Sequence, residues 1–193
     1  EAVVWGAAGA AGRLAVGVST GGVITSGEVP GMSEEDWDFV LDTNRKGPFL
    51  MAKHVIPVMR AGGGGAIVNT TSVQAFASQP MVAAYSASKG AVVAMTMTMA
   101  LDHAKDGIRV NCIAPGSVNT PMLRVAAGKF FDDVDAGLRE WGSQHPIGFL
   151  TEPEDVANLV LFLVSDQARA ITGACYRIDG GLLARLGVGL PSD

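Results

Sequence analysis

The sequence predicts an α/β fold in which a mostly parallel sheet is flanked by helices. Short runs rich in β-branched residues alternate with longer helical stretches, glycine and proline mark the breaks, and no internal repeat disturbs the alternation. The 193 residues are 48% hydrophobic and 17% charged, which excludes a disordered chain. We therefore expect one domain over residues 1–193 with a substantial buried core.

The predicted strands are short apolar segments. Parallel neighbours in a sheet need a crossover of about a dozen residues. Only eight residues separate Trp5 from Leu14, so the first two strands are expected to pair as an antiparallel hairpin. The five predicted strands are Ala2–Trp5, Leu14–Val18, Ala66–Thr70, Ile108–Ile113 and Cys175–Ile178.

Capping and breaking residues predict the helices. Ser33 is a predicted N-cap, and the helix that it begins is expected to break or kink at Gly47-Pro48, just after Asn44. Residues 117–150 are expected to be irregular. The other predicted helices are Phe49–Arg60, Val82–Lys105 and one that begins in a capping box over Thr151–Glu154 and ends at Leu163.

Charge and cysteine usage argue against several classes of function. The net charge is -5 and no basic stretch is present, so we expect no nucleic-acid partner. No apolar run reaches the ~18 residues of a membrane span, and scattered histidines with distant Cys112 and Cys175 predict no metal site. Two cysteines fit a reducing compartment, which predicts a cytoplasmic protein. The chain begins at Glu1, so we expect it to be processed or a fragment.

Tyr85 and Lys89 form the first candidate site. Residues four apart lie on one face of a helix, one turn from each other. A nearby ammonium favours the phenolate and lowers the pKa of a tyrosine, which then exchanges protons with an alcohol or ketone near neutral pH. The alternative is a surface lysine beside a half-buried tyrosine.

Three further positions surround a predicted ligand crevice. Ser72 follows the strand Ala66–Thr70 at its carboxyl end, where open α/β sheets bind ligands, and its hydroxyl can donate to a substrate oxygen. Asn44 lies at the predicted helix break, where an amide can hold water. Pro115-Gly116 follows another strand, and Thr120 beyond it can donate to an amide. Ordinary turn or cap residues are the alternative in each case, and the simpler explanation for Asn44 alone.

In their order and spacing, these motifs resemble the short-chain dehydrogenase/reductase family. The similarity begins near Gly22 and covers most of the chain to Gly181. Each motif alone is weak evidence for this family, whereas their order and spacing together are strong evidence for it. It comprises Asn44, Asn69-Thr-Thr-Ser72, Tyr85-x-x-x-Lys89, the segment Ile108–Gly116, Ile171-Thr-Gly173 and Asp179-Gly-Gly181.

The resemblance implies a Rossmann-like fold, NAD or NADP as cofactor, and interconversion of a secondary alcohol and a ketone. By that resemblance Tyr85 is the general acid/base, and Lys89 lowers its pKa and holds the nicotinamide ribose. Ser72 polarises the substrate carbonyl, and Asn44 anchors a water in a proton relay. The residues implied to bind the cofactor are Gly22, Tyr85, Lys89, Pro115, Gly116, Val118 and Thr120.

The N-terminal part departs from the family's pattern. The loop Gly6–Gly12 resembles the family's dinucleotide loop, but Trp5 and Ala10 replace a threonine and a glycine, so residues 1–22 are a degenerate glycine-rich start. Much of the first helix and the next two strands of the family are missing after it. The resemblance therefore predicts a truncated Rossmann-like domain with an intact nicotinamide half and no adenosine half.

Two functions stay open on this basis. One is the oxidoreductase, and the other is a catalytically inactive remnant or fragment that acts at most as an assembly partner. The resemblance implies a homodimer or homotetramer, for which the helix Val82–Lys105 is a candidate interface. A serine hydrolase fits poorly, because the sequence places none of His54, His103 and His145 near Ser72.

The segment 117–150 is the predicted substrate lid, followed at the end of the chain by a tail over 182–193. Apolar side chains in the lid predict an apolar pocket wall for a small-molecule substrate. They are Met122, Leu123, Phe130, Phe131 and Trp141.

Overall fold

The computed structural model describes residues 14–185. Four strands form one sheet in the order β1-β2-β3-β4, and every neighbouring pair is parallel. The strands are β1 Val16–Ser19, β2 Gly65–Thr70, β3 Ile108–Pro115 and β4 Cys175–Ile178. The helices are α1 Glu34–Leu41, α2 Gly47–Ala61, α3 Ala83–His103, α4 Pro121–Ala127, α5 Val134–Ser143 and α6 Pro153–Val164.

The predicted fold class is confirmed: a mostly parallel sheet is flanked by helices. Four of the five predicted strands are present, with ends that differ by no more than two residues. The predicted strand Ala2–Trp5, its antiparallel pairing and the loop Gly6–Gly12 lie outside the described residues, as does the tail beyond Arg185. These stay predictions.

Two apolar cores hold the sheet, one on each face. On one face α2 and α3 cover β2 and β3, with Met59 and Ile67 fully buried between them. On the other face Leu163 of α6 packs against Val68 and Ile113. Because Ile67 and Val68 are adjacent in β2, their side chains point to opposite faces, so the central strands are buried on both sides. Each such side chain contributes roughly 1.5–3 kcal/mol.

Of the two outcomes predicted just after Asn44, a break or a kink in the helix, the break is wrong. The chain passes from α1 to α2 through a π-helical segment, Asp42–Lys46, without leaving the helical path. Pro48 stands in the first turn of α2. A π-turn moves the hydrogen-bond partners by one residue, so it accommodates a proline that lacks an N–H. Asn44 is buried in the middle of this segment.

The expectation that residues 117–150 are irregular is also wrong, because capping residues inside the segment begin two helices. Thr120 caps α4 by accepting from the Leu123 amide, and Asp133 caps α5 by accepting from the Ala136 amide. The capping box of α6 lies one residue later than predicted, on Glu152 and Asp155. Thr151 is instead engaged in a parallel bridge with Val118.

Cys112 and Cys175, which are distant in sequence, are register partners on β3 and β4. Both are free thiols, the first buried and the second half-buried. None of the helices within residues 14–185 is long and apolar enough to cross a lipid bilayer.

Arg109 ties the end of α6 to β3. Its guanidinium donates to the carbonyl oxygens of Leu163, Val164 and Ser165 at 2.6–3.2 Å, and a longer contact of 3.5 Å reaches the Ile171 carbonyl. The last carbonyls of a helix lack partners within the helix and carry partial negative charge, so a cation there is stabilising.

We expect the substitution Arg109→Met to lower the free energy of unfolding by about 2–3 kcal/mol, because these carbonyls lose a charged donor. Urea denaturation followed by circular dichroism measures the change. Arg139→Met on the exposed surface of α5 is the matched control, with an expected change below about 0.5 kcal/mol. Equal losses in the two variants would contradict this role of Arg109.

Candidate active site

The carboxyl ends of three strands meet at one edge of the sheet, and the predicted site residues lie there. Gly22 follows β1, Ser72 follows β2 and Gly116 follows β3. Tyr85 and Lys89 are in the first two turns of α3, which packs against β3 and the turn after β2. The parallel topology therefore brings together residues from distant parts of the chain.

Lys89 is a buried ammonium with a single described hydrogen bond. Its side chain is 3% exposed, and Nζ donates to the Thr70 carbonyl oxygen at 3.2 Å. Burial lowers its pKa from 10.5 to about 8. Nζ lies 5.5 Å from the centre of the Tyr85 ring. An ammonium has three N–H groups, so Lys89 retains donors for a further partner.

The pKa of Tyr85 is raised, not lowered as the sequence suggested. Burial is the larger cause, and a hydrogen bond with the Ser72 hydroxyl opposes it. The described hydrogen bond of the Lys89 ammonium goes to the Thr70 carbonyl and not to the phenolic oxygen, and its charge does not offset the loss of water. Tyr85 therefore carries its proton at neutral pH.

Ser72 is held so that its hydroxyl faces Tyr85. It is buried, and its oxygen accepts from the Gln74 amide at 3.2 Å, which begins the short turn Val73–Ala75. Because the oxygen accepts this bond, the hydroxyl proton is available to the Tyr85 phenol or to a ligand between them.

The Asn44 side chain is a clamp between three elements. Its Oδ1 accepts from the Val23 amide at 2.7 Å, and its Nδ2 donates to the Val23 carbonyl at 2.8 Å. Nδ2 also donates to the Ser88 hydroxyl at 3.0 Å, which in turn donates to the Tyr85 carbonyl at 2.7 Å. Both N–H groups are thus used by the protein, and only a lone pair of Oδ1 remains for the predicted water.

The predicted cofactor residues after β3 form one loop, Gly116–Thr120, which we call the β3 loop. Pro115, the last residue of β3, is buried. A Cβ on Gly116 would lie 3.0 Å from His145 Nε2 and 3.1 Å from the Asp179 Cα, so the loop passes where no side chain fits. Thr120 accepts from the Leu123 amide and keeps its hydroxyl proton to donate.

Gly22 lies beside the catalytic candidates. A Cβ there would be 3.4 Å from both Asn44 Oδ1 and Lys89 Nζ, so a larger side chain at this position would press against the amide and the ammonium. Ser88 and His145 are site residues that sequence analysis missed. The position of Ser88 inside Tyr85-x-x-x-Lys89 was the available signal for the first, whereas no local pattern marks His145.

The lid segment packs on itself more than the sequence suggested. Phe131 and Trp141 meet edge to face with ring centres 5.6 Å apart, and Arg124 pairs with Asp135 at 3.0 Å across α4 and α5. Phe130 is 75% exposed. These aromatic side chains therefore stabilise the α4–α5 pair. A cleft of about 540 Å³ beside that pair is lined in part by charged side chains.

Comparison with known proteins identifies similar chains. The profile of a family described as enoyl-(acyl carrier protein) reductase matches residues 1–183. The 3-oxoacyl-[acyl-carrier-protein] reductase FabG of Thermotoga maritima is 39% identical over 173 residues, which are 89% of this chain and 67% of that protein. Dehydrogenase/reductase SDR family member 4 of Homo sapiens is 38% identical over 161 residues, 83% of this chain and 56% of that protein.

A solved structure is similarly close. The ligand-free aldohexose dehydrogenase of Thermoplasma acidophilum superposes with a TM-score of 0.93 and 34% identity, over 99% of this chain and 76% of that chain. The chain spans 56–69% of the length of the curated relatives that it matches.

We expect Asn44→Asp to lower the free energy of unfolding by about 2–3 kcal/mol, because an acceptor replaces the donor that faces the Val23 carbonyl. Chemical denaturation measures the loss. Asn158→Asp, at an exposed position of α6, is the control and is expected to change stability by less than about 0.5 kcal/mol. A loss for Asn44→Asp that matches the control would show that the clamp adds no stability.

The lowered pKa of Lys89 predicts a pH effect on stability. Between its folded pKa of about 8 and its usual 10.5, the unfolded chain binds more protons than the folded one, so this group makes stability rise with pH. Lys89→Met lacks this contribution. We therefore expect the wild type to gain stability relative to Lys89→Met between pH 7.5 and 9.5, as measured by urea denaturation at each pH. A constant difference would refute the shift.

Proposed function

Because the chain belongs to the short-chain dehydrogenase/reductase family of oxidoreductases, we propose that it interconverts a secondary alcohol and a ketone with Tyr85 as general acid/base. The observation that carries this proposal is the position of the Ser72 hydroxyl near the Tyr85 phenol, beside the buried Lys89. Two neighbouring hydroxyl groups can both donate to a carbonyl oxygen placed between them.

Each residue has a distinct part in the proposed reaction. Tyr85 is protonated at neutral pH, so it donates its proton to the ketone oxygen during reduction and receives it during alcohol oxidation. Ser72 donates to the same oxygen and stabilises the charge that develops there. With a pKa of about 8, Lys89 is largely charged at pH 7, and its positive charge favours the phenolate that Tyr85 becomes.

The residues fit a nicotinamide cofactor, which enzymes of this family generally use. The cofactor supplies the hydride donor or acceptor when it is bound. Lys89 keeps free N–H donors, and Gly22 places no side chain against its ammonium. We assign the nicotinamide half of the site to Gly22, Tyr85, Lys89, Pro115, Gly116, Val118 and Thr120. NAD and NADP both remain candidates.

We further propose that the chain forms a homodimer or homotetramer, as is typical of the family. Exposed apolar side chains on α2 and α3 support this proposal. They are Phe49, Leu50, Met97 and Leu101, the last of which is 81% exposed. A small-molecule alcohol or ketone is the proposed substrate, and cytoplasmic location stays a prediction from the two free thiols.

The alternative is an inactive remnant that acts only in assembly. In residues 14–185 we find no observation that favours it, since Ser72, Tyr85 and Lys89 occupy one site with their functional groups free to act. The decisive difference between the two functions is whether nicotinamide binds and whether hydride transfer depends on Tyr85.

We expect Tyr85→Phe to reduce turnover by about 10²–10⁴-fold, because the proton donor is lost while the ring still packs. The assay follows nicotinamide absorbance with a panel of secondary alcohols and ketones, after titration of the chain with NADH and NADPH by fluorescence. Tyr176→Phe in β4 is the matched control, and its turnover is expected to equal that of the wild type.

Near-native turnover in Tyr85→Phe would reject Tyr85 as the acid/base. If neither nucleotide binds up to millimolar concentration while the chain melts cooperatively, the inactive alternative is the better account.

A further inference from the structure

His145 is a buried imidazole with both ring nitrogens engaged. It follows α5 and is 2% exposed. Its Nδ1 lies 3.1 Å from the Trp141 carbonyl oxygen, which only accepts, so Nδ1 carries the proton. Its Nε2 therefore accepts, and it receives the Ser117 amide at 3.2 Å. The hydrogen bonds thus select one neutral tautomer.

The imidazole fills the space beneath the β3 loop. A Cβ on Gly116 would lie 3.0 Å from Nε2, and a Cβ on Gly180 would lie 3.2 Å from the His145 Cβ. The ring is thus enclosed between the loop after β3 and the turn after β4. A change in the path of either segment has to displace the ring.

Three contacts hold the backbone of the β3 loop at its start. The Gly116 amide donates to the Ile178 carbonyl at 3.0 Å, and the Ser117 carbonyl accepts from the Thr151 amide at 3.2 Å. The third is the Ser117 amide on His145. The first two contacts join backbone groups. Of the three, only the contact with His145 therefore depends on the identity of a side chain.

We propose that His145 is a positioning residue for the cofactor: its neutral imidazole holds the Ser117 amide and so sets the path of the β3 loop. The inference rests on the proposed function, because the β3 loop supplies Gly116, Val118 and Thr120 to the nicotinamide half of the site. His145 acts through the loop and does not touch the reacting atoms. Its loss is therefore expected to weaken cofactor binding more than it slows the chemical step.

Two amide substitutions test the hydrogen bonds of the two ring nitrogens separately. In His145→Gln the amide oxygen reaches the position of Nε2 and can accept from Ser117. In His145→Asn the shorter amide reaches only the position of Nδ1, so it can donate to the Trp141 carbonyl but leaves the Ser117 amide without an acceptor. Each variant loses one of the two hydrogen bonds, so their overall stabilities are expected to be similar.

The first measurement is hydrogen exchange of the Ser117 amide, made without nucleotide. We expect exchange in His145→Gln to stay within about threefold of the wild type and exchange in His145→Asn to be about tenfold faster, as for the loss of one buried hydrogen bond. The second measurement is titration with NADH and NADPH. We expect a dissociation constant about tenfold higher for His145→Asn and near the wild-type value for His145→Gln, with kcat changed less than the cofactor KM.

Equal exchange rates of the Ser117 amide in the two variants would overturn the proposal. If both variants bind NADH or NADPH, equal affinities would overturn it as well. Failure of the proposed function is seen separately, as an absence of nucleotide binding by the wild-type chain. In that case the exchange difference alone decides whether His145 holds the loop: a faster Asn variant supports the anchor, and equal rates reject it.

Discussion

The buried amide of Asn44 is the contact on which the rest of the site depends. It joins the segment after β1, the π-turn between α1 and α2, and α3, which carries Tyr85 and Lys89. A side chain with two donors and one acceptor in a plane matches a backbone N–H and C=O on one side and a hydroxyl on the other. Because the amide is buried, each of these bonds is costly to lose, so the three elements are kept in one relative position.

Burial also sets the chemistry at the carboxyl end of β2. The same loss of water raises the pKa of Tyr85 and lowers that of Lys89, so the phenol keeps its proton while the ammonium gives up its proton more readily. The hydroxyl oxygen of Thr70 is buried there without a described hydrogen-bond partner. Polar side chains at this edge of the sheet are therefore removed from water at a cost in free energy, as is common at sites where polar groups bind a ligand.

Local signals predicted the elements well where capping or periodicity is strong. Ser33 begins α1 and Cys175–Ile178 is β4 as predicted. The helix does not break after Asn44, because a π-turn accommodates Pro48 there, and this depends on what packs around the junction. The lid helices were missed because the capping signals of Thr120 and Asp133 are single residues in a segment without a regular apolar period. The series of motifs indicated the proposed site residues apart from Ser88 and His145, but it did not predict the contacts of any of them.

The sequence by itself determined the class of fold, the position of Tyr85 and Lys89 on one helical face, and the family. These depend on residue type and short spacing, which a linear chain displays directly. Only the tertiary structure decided that Asn44 clamps Val23, that Lys89 faces Thr70 rather than the phenolic oxygen, and that His145 supports Ser117. The residues of each pair lie about 20 positions or more apart, so they meet only when the chain folds. The pKa of a buried side chain also depends on its loss of water, which occurs only in the folded protein.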